Sequence, residues 1–222
     1  MDTYSANSLK LLNKDPEAFR LKYKEGLFLN PDNSSAKAGQ NLHSFLCFYL
    51  KGFDISKIEN SFSKKDREFL DNIKEFDVVK ALKNAAKKDI EQPFLIKCVP
   101  NLSDLKKNDG KNTFYLTGRF DAVLCYNKRV CGYLNGGAVC GAADDTMDFG
   151  VEIYDWKTVN LPKNPKEDVQ TLVYLYAASR LYGTENVSII YVSLSKNEST
   201  TICFDRACDY LEKIFEIVQK DV

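Results

Sequence analysis

The 222-residue sequence predicts a mixed α/β fold, in which helices flank a sheet. Two observations lead to this prediction. Residues 1–90 carry apolar side chains near helical spacing, whereas residues 91–222 alternate segments rich in branched and aromatic side chains with further helical segments. The length lies within the range of one large domain, so we expect a single domain over residues 1–222.

The N-terminal region at 1–90 is predicted to be mostly helical. Asp15 and Pro16 end one helix and start the next, because proline fits the first position of a helix. Residues 39–50 form a strongly apolar helix, which carries His43, the one histidine of the sequence. Residues 63–90 are predicted to continue as helix with a lysine-rich solvated face.

The α/β core at 91–222 begins with three predicted strands, which form a meander at 93–99, 113–126 and 149–158. A glycine-rich hairpin insertion at about 127–148 separates the second strand from the third. A helix, two strands and a closing helix follow. The first helix of this part runs from Asn164 to about Tyr182 and ends at Gly183, and the closing helix spans 205–220.

The composition argues for a protein without a strong overall charge. The 31 basic residues equal the 31 acidic residues, so no global electrostatic field recruits nucleic acid, and any phosphate-binding site must be local. No apolar stretch approaches a membrane span, and no leader is evident, so we expect a soluble, cytoplasmic protein without a membrane partner. The seven cysteines are odd in number and scattered, which is typical of reduced thiols.

Candidate catalytic residues lie at the end of the strand "VEIYDWKT", Val151–Thr158. Strand alternation points Asp155 and Lys157 to the same face, although burial of two charges is costly without partners or a function. Asp121, in "GRFDAV", lies on the preceding strand. Taken alone it is a carboxylate paired with Arg119 or Lys157, but two aspartates on adjacent strands favour a cation between them. Oxygen ligands of this kind suit Mg²⁺ or Mn²⁺.

These motifs resemble the RecB-like branch of the PD-(D/E)xK nuclease superfamily, including its stand-alone and CRISPR-associated exonucleases. Five elements stand in that family's order: "SANSLKLLNKDPEAFRLKY", "GQNLH", "GRFDAV", "VEIYDWKT" and "QTLVYLYAAS". They extend from about Ser5 to Ala178. The resemblance implies a restriction-endonuclease-like core with a central mixed sheet flanked by helices, and a catalytic role for residues 91–222.

The resemblance also implies a set of metal ligands and catalytic residues. The implied ligands of Mg²⁺ or Mn²⁺ are His43, Asp121, Asp155 and the backbone carbonyl of Trp156. The implied role of Lys157 is to orient or help deprotonate the attacking water and to stabilise charge on the phosphate.

Further residues of the helix after the active strand belong to this implied site. Gln170 and Tyr174 are four residues apart and share one helix face, beside the scissile phosphate or the DNA strand. From the residues alone, Tyr174 could equally be part of the core. Glu91 is either a neighbour of the metal site or a solvated surface acid, and the sequence favours solvation.

Two departures from the family pattern bear on cofactors and access. Several RecB-like nucleases hold an iron–sulfur cluster, but Asp15 stands at the N-terminal cysteine position, and the C-terminal part offers only Cys203 and Cys208. We therefore expect no iron–sulfur cluster. The insertion at about 127–148 is longer than the family's usual hairpin.

The sequence thus predicts a metal-dependent DNA nuclease that hydrolyses phosphodiester bonds. The resemblance favours an exonuclease that acts on single-stranded DNA or DNA ends, in repair, recombination or defence. Two alternatives remain: a catalytically inactive nuclease-fold module that binds DNA as a scaffold, and an enzyme that cleaves RNA with the same residues.

Overall fold

The computed structural model describes residues 2–27, 34–60, 62–99, 113–128, 148–158, 160–204 and 207–221. Within these ranges the chain forms eight α-helices and a six-stranded mixed sheet. The predicted mixed α/β class with a central sheet flanked by helices is confirmed.

The N-terminal elements are one short strand and six helices. Their bounds are β1 Thr3–Ser5, α1 Ala6–Lys14, α2 Pro16–Phe19, a wider helical turn at Arg20–Lys24, α3 Ser34–Lys51, α4 Ser56–Glu59, α5 Lys64–Lys74 and α6 Asp77–Asn84.

The remaining elements build most of the sheet. Their bounds are β2 Lys88–Cys98, β3 Phe114–Lys128, β4 Asp148–Lys157, a 3₁₀ turn at Pro165–Glu167, α7 Val169–Tyr182, β5 Val187–Ser193, β6 Glu198–Cys203 and α8 Ala207–Val218.

The helix ends follow from local chemistry that is visible in the sequence. Asp15 caps α2, where its side chain accepts a hydrogen bond from Ala18 N at 2.9 Å, and Pro16 occupies the first helical position. Gly183 ends α7 in the left-handed conformation, with φ of 66°. These predicted boundaries are confirmed.

The sheet combines a meander with a crossover. Strands β2, β3 and β4 pair antiparallel in chain order, as predicted. The helix α7 then connects β4 to the parallel strand β5, and β6 pairs antiparallel with β5. The strand order is therefore β1-β3-β4-β5-β6, and β2 pairs with β3 in addition. This topology brings the C-terminal end of β4 next to the start of α7.

One strand was missed and two predicted boundaries were wrong. The strand β1 was not predicted, because three residues are too few to show a pattern, and it exists only through parallel pairing with β3. Residues 88–90 belong to β2 rather than to a helix. The helix α7 begins at Val169 rather than at Asn164, because Asp168 caps it and accepts a hydrogen bond from Gln170 N at 2.7 Å.

Apolar cores lie on both faces of the sheet. One contains residues of α1, α7 and α8, such as Leu9, Val173 and Ile214. The other contains residues of α3, α5 and α6, such as Leu46 and Ile73. Across the described ranges, no helix combines the length and the apolarity that a membrane span requires. Most of the predicted insertion, at 129–147, lies outside the described residues.

The glycine of "GRFDAV" is required by packing. A Cβ atom added to Gly118 would lie 2.5 Å from Cζ of Phe94. The Phe94 ring is buried, stacks on Phe120 at 4.7 Å and meets Tyr174 edge-on at 5.8 Å. Because this ring is enclosed on several sides, it cannot move aside without disturbing the neighbouring aromatic side chains.

We therefore expect Gly118→Ala to lower the free energy of unfolding by about 1–3 kcal/mol, the usual cost of overpacking. Gly39→Ala is the matched control, since its Cβ would lie at an ordinary 3.5 Å from Thr158 Cγ2. Alanine in the helix α3 should leave stability unchanged or raise it. Urea denaturation of both variants measures the difference, and equal stability would contradict the packing argument.

Candidate active site

The predicted pair at the end of β4 is present. Asp155 is 4% exposed, and its Oδ2 lies 2.6 Å from Nζ of Lys157. The two side chains share one face of the strand, as the alternation predicted. The ammonium group also lies over the ring of the buried Tyr191, 5.2 Å from the ring centroid.

Gln170 links the carboxylate and the ammonium group. Its Nε2 donates a hydrogen bond to Asp155 Oδ1 at 2.6 Å, and its Oε1 accepts one from Lys157 Nζ at 3.0 Å. Both partners together fix the orientation of the amide. The residue therefore holds the two charged groups in one geometry.

Lys10 is a member of this network that the sequence analysis missed. Its Nζ, on α1, lies 2.9 Å from Asp168 Oδ1 and donates to Gln170 Oε1 at 3.4 Å. Lys10 thus favours the amide orientation that points Nε2 at Asp155. Nothing in the sequence distinguishes this lysine from the others, because its partners are about 160 residues away.

Asp121 and His43 complete the group of polar side chains. Asp121 Oδ2 accepts a hydrogen bond from Trp156 N at 2.9 Å, and Oδ1 lies 3.3 Å from Nδ1 of His43. Burial lowers the pKa of His43, but the hydrogen bond and charge of Asp121, with the charge of Asp155, outweigh burial and raise the pKa overall.

One carboxylate oxygen of this group lacks a hydrogen bond. Oδ2 of Asp155 is buried, and its partner is the ammonium group of Lys157 in the 2.6 Å ion pair, which lies outside regular hydrogen-bond geometry. Burial, together with the charge of Asp121, raises the pKa of Asp155 to about 6, although Lys157 opposes this shift. A carboxylate oxygen has more than one lone pair, so an oxygen that is paired with one ammonium group can also bind a metal ion.

The donor set fits a hard divalent ion. Two carboxylates and one imidazole belong to this group, which are ligand types that Mg²⁺ and Mn²⁺ accept, and the carbonyl of Trp156 as a further ligand stays a prediction. In the part of the chain that the structure describes, no three His, Cys, Asp or Glu side chains are already arranged around one point as metal ligands. The acids are instead paired with His43, Lys157 and Gln170.

Glu91 is not a solvated surface acid, and that interpretation was wrong. It lies opposite Asp121, between the pairs Ile90↔Ala122 and Gln92↔Phe120, and its side chain is 16% exposed. The carboxylate forms an ion pair with Arg119 Nε. Burial raises the pKa of Glu91, which the charge of Arg119 opposes.

The backbone of Glu91 is strained, with φ of 61° in the middle of β2. The alternation of β3 breaks at the same level. Phe120 packs with Phe94 and Tyr174, whereas Ala122 belongs to the core on the other face. Regular strand alternation would place Phe120 and Ala122 on one face, and a positive φ at a glutamate cannot be predicted from residue patterns.

We expect Glu91→Gly to be more stable than Glu91→Ala by about 1 kcal/mol, because only glycine adopts this φ without cost. Both variants lose the carboxylate, so their difference isolates the backbone strain. At an ordinary strand position, such as the exposed Leu95, the same comparison should favour alanine. Thermal denaturation of the four variants measures this, and a more stable alanine at position 91 would exclude strain.

Tyr174 lies near the carboxylates of Asp121 and Asp155, but its hydroxyl group forms a hydrogen bond to the protein backbone. The hydroxyl donates to the Arg119 carbonyl at 3.0 Å, and the ring meets Phe120 edge-on at 5.2 Å. Burial, followed by the charges of Asp155 and Asp121, raises the pKa of Tyr174. A position of Tyr174 beside a bound phosphate stays a prediction.

Some of these residues border an open cleft of about 880 Å³, which lies between α3, the end of β4 and the middle of β2 and β3. His43, Trp156 and Lys157 line one part of it. Arg119 and Glu91 line another part, together with side chains of α3. The cleft therefore gives a ligand access to the site at the end of β4.

The residues relevant to an iron–sulfur cluster are described only in part. Asp15 serves as the helix cap of α2, and Cys203 is exposed. The side chain of Cys208 lies outside the described residues. The expectation that the chain holds no such cluster stays a prediction.

Comparisons with known proteins do not assign a family. No family model matches the sequence, and no curated protein matches it. A solved structure described as "Crystal structure of SSO0001" aligns with 99% of this chain and 75% of its own, with 15% sequence identity and a TM-score of 0.47. At this level of similarity the comparison adds nothing to the geometric argument.

Proposed function

We propose that this chain is a Mg²⁺- or Mn²⁺-dependent nuclease that hydrolyses phosphodiester bonds of DNA. The main support is the group formed by Asp121, Asp155, Lys157 and Gln170 beside the cleft, in which the buried Oδ2 of Asp155 is paired with the ammonium group of Lys157. The resemblance of the sequence motifs to RecB-like nucleases supports the same activity.

The charges of the site favour a cation. The two carboxylates would repel a negatively charged phosphodiester. Binding of this substrate therefore needs positive charge between the carboxylates and the phosphate. Asp121, Asp155, the Trp156 carbonyl and His43 are the residues that would hold a divalent ion. A bound Mg²⁺ or Mn²⁺ supplies Lewis acidity toward the phosphate and lowers the pKa of the attacking water.

Lys157 contributes an ammonium group held in a fixed place. Asp155 and Gln170 hold Nζ from two directions, at 2.6 and 3.0 Å. An ammonium group in this position can stabilise the charge that develops on the phosphate and can orient a water molecule for attack. Gln170 then acts as a positioning residue, since it holds both Asp155 and Lys157.

The proposed substrate is DNA, and the mode is exonucleolytic, in repair, recombination or defence. The support for this choice is the family resemblance. RNA carries the same phosphodiester, so the substrate panel must include it. An inactive DNA-binding module would use the cleft without the chemistry.

The test uses the purified 222-residue chain with end-labelled linear single-stranded DNA, duplex DNA, circular single-stranded DNA and single-stranded RNA. Each is incubated with Mg²⁺, Mn²⁺ or a chelator. We expect metal-dependent degradation of linear DNA, with the circle intact. Cleavage of RNA alone would favour the RNA-cleaving alternative. Metal-independent binding of DNA without cleavage would favour the scaffold and overturn the proposal.

A further inference from the structure

One wall of the cleft is a continuous face of α3. Its residues recur at intervals of three and four, so they lie above one another along the helix. They are polar near the carboxylates, apolar in the middle and cationic at the far end. In order, these residues are Gln40, His43, Ser44, Cys47, Phe48 and Lys51.

Phe48 is exposed in the middle of this wall. Phe48 is 41% exposed, and the neighbouring Phe53 is 59% exposed. The two rings meet edge-on, with centroids 5.9 Å apart. Large apolar side chains are usually buried. An exposed pair of phenylalanines beside a polar cleft therefore indicates a surface that binds a ligand.

The end of α3 explains how the rings are held. Gly52 has φ of 82°, Gly52 N donates to Tyr49 O at 3.0 Å, and Phe53 N donates to Phe48 O at 3.1 Å. This is a Schellman cap, in which the residues corresponding to Phe48 and Phe53 commonly touch. The cap fixes the ring pair before any ligand arrives, which lowers the entropic cost of binding.

The surroundings of Phe48 complement a nucleic acid backbone. Lys51 is exposed one turn beyond Phe48 on the same face, and Arg119 lines the same cleft with its side chain 65% exposed and its Nε paired with Glu91. An aromatic ring flanked by cations is the common arrangement for binding unpaired bases, because the ring stacks on a base while the cations contact phosphates. Duplex DNA offers no free base face along its length.

We infer that Phe48, supported by Phe53, stacks on an unpaired base of a single-stranded nucleic acid whose backbone passes Lys51 and Arg119. This inference rests on the proposed function, since it places the strand in the same cleft. Phe48 is a specificity-determining residue for single strands rather than a catalytic one. It makes no contact with the carboxylates.

The helix geometry also sets the position of the stacked base. Phe48 follows His43 by five residues, which corresponds to about 7.5 Å along a helix axis. One strand of a nucleic acid advances about 3.4 Å per nucleotide, so the stacked base lies roughly two nucleotides from the phosphate at the carboxylates. Fewer nucleotides are expected if the strand is extended, because each nucleotide then covers more of this distance.

The experiment measures binding without cleavage. Fluorescence anisotropy in chelator compares a short labelled single strand with a duplex of the same length, for the unmodified chain, Phe48→Ala and Phe48→Trp. We expect Phe48→Ala to weaken single-strand binding by about 5- to 100-fold, the usual loss for one stacked base. Phe48→Trp should bind at least as tightly as the unmodified chain, and duplex affinity should change less than about twofold.

A matched control is Phe69→Ala, which removes a 37% exposed phenylalanine of α5 that does not line the cleft. It should leave binding unchanged. A single strand that lacks one base is the complementary probe. When the missing base lies about two nucleotides from the cleaved bond, the unmodified chain should bind this strand more weakly than the intact strand. Phe48→Ala should bind both strands equally. Thermal denaturation checks that the variants fold.

Three results separate the possible failures. Unchanged single-strand binding by Phe48→Ala, with cleavage intact in the unmodified chain, overturns the stacking inference and leaves the nuclease proposal standing. Equal losses for single strand and duplex also overturn it. If the unmodified chain binds and cleaves no nucleic acid, the proposed function itself fails, and the ring pair then belongs to a contact with another protein.

Discussion

Asp121→Asn is expected to reduce metal-dependent cleavage by at least about 10²–10³-fold. Loss of one preorganised polar group in an active site commonly lowers the rate constant about 10²–10³-fold. Loss of a proposed metal ligand that also bonds to the protein backbone should lower the rate constant at least as much. The asparagine side chain would keep a carbonyl oxygen that can accept from Trp156 N, as Asp121 Oδ2 does at 2.9 Å. The local fold should therefore persist while the charge is lost.

The same substitution should remove stabilisation by Mn²⁺. A metal ion whose free concentration is about 100 times its dissociation constant raises the free energy of unfolding by about 2.7 kcal/mol. For a chain of this size that corresponds to a rise in Tm of about 5–10 °C. Differential scanning fluorimetry with and without Mn²⁺ measures this rise, which Asp121→Asn should lack.

The rise in Tm should depend on pH. Because the folded-state pKa of Asp155 is raised to about 6, the folded protein binds a proton there that the unfolded chain releases at lower pH. Ionisation of Asp155 between about pH 4 and 6 therefore lowers the stability of the metal-free protein. Mn²⁺ must compete with this proton, so its stabilisation should be larger at pH 8 than at pH 5.

The control for these measurements is Glu212→Gln, which removes an exposed acid of α8. It should keep both activity and the rise in Tm. A full response to Mn²⁺ in Asp121→Asn would show that Asp121 is not a ligand. Absence of any response in the unmodified chain would contradict the proposed metal site as a whole.

Lys157→Met is expected to reduce the rate constant of cleavage by about 10²–10⁴-fold while Mn²⁺ binding at pH 8 is retained. The ammonium group is positioned by Asp155 and Gln170, and methionine keeps the length of the side chain without its charge. Stabilisation of transition-state charge and proton transfer by one positioned group account for a loss of this size. Single-turnover kinetics at saturating metal measures it.

Lys157→Arg tests the geometry of the same group. Arginine keeps the charge, but its planar guanidinium cannot reproduce a compact ammonium held at 2.6 Å from Asp155 and 3.0 Å from Gln170. We expect activity to remain well below that of the unmodified chain. Lys213→Met, at an exposed position of α8, is the matched control. Cleavage by Lys157→Met at the unmodified rate would exclude the proposed role.

Much of the architecture could be predicted from local sequence. The meander of β2, β3 and β4, the break at Asp15 and Pro16, and the end of α7 at Gly183 follow from side-chain alternation, proline geometry and the left-handed tolerance of glycine. The pairing of Asp155 with Lys157 follows from the same alternation, because residues two apart on a strand share a face.

The network around that pair could be predicted only in part. The proximity of His43 to Asp121 came from the family resemblance, because a helix and a strand about 80 residues apart give no local sign of contact. The strained conformation of Glu91 and its burial against Arg119 were missed. The exposure of Phe48 was also missed, since an apolar helix predicts burial of its aromatic residues.

The sequence by itself determined which segments are helices and strands and which charges share a strand face, because these properties depend on neighbours within a few residues. The tertiary structure decided which of those charges meet. Lys10 reaches Gln170 across 160 positions, and β1 exists only where β3 offers it a partner. Such contacts depend on how the elements pack, and packing is set by the summed burial of many side chains rather than by any short stretch.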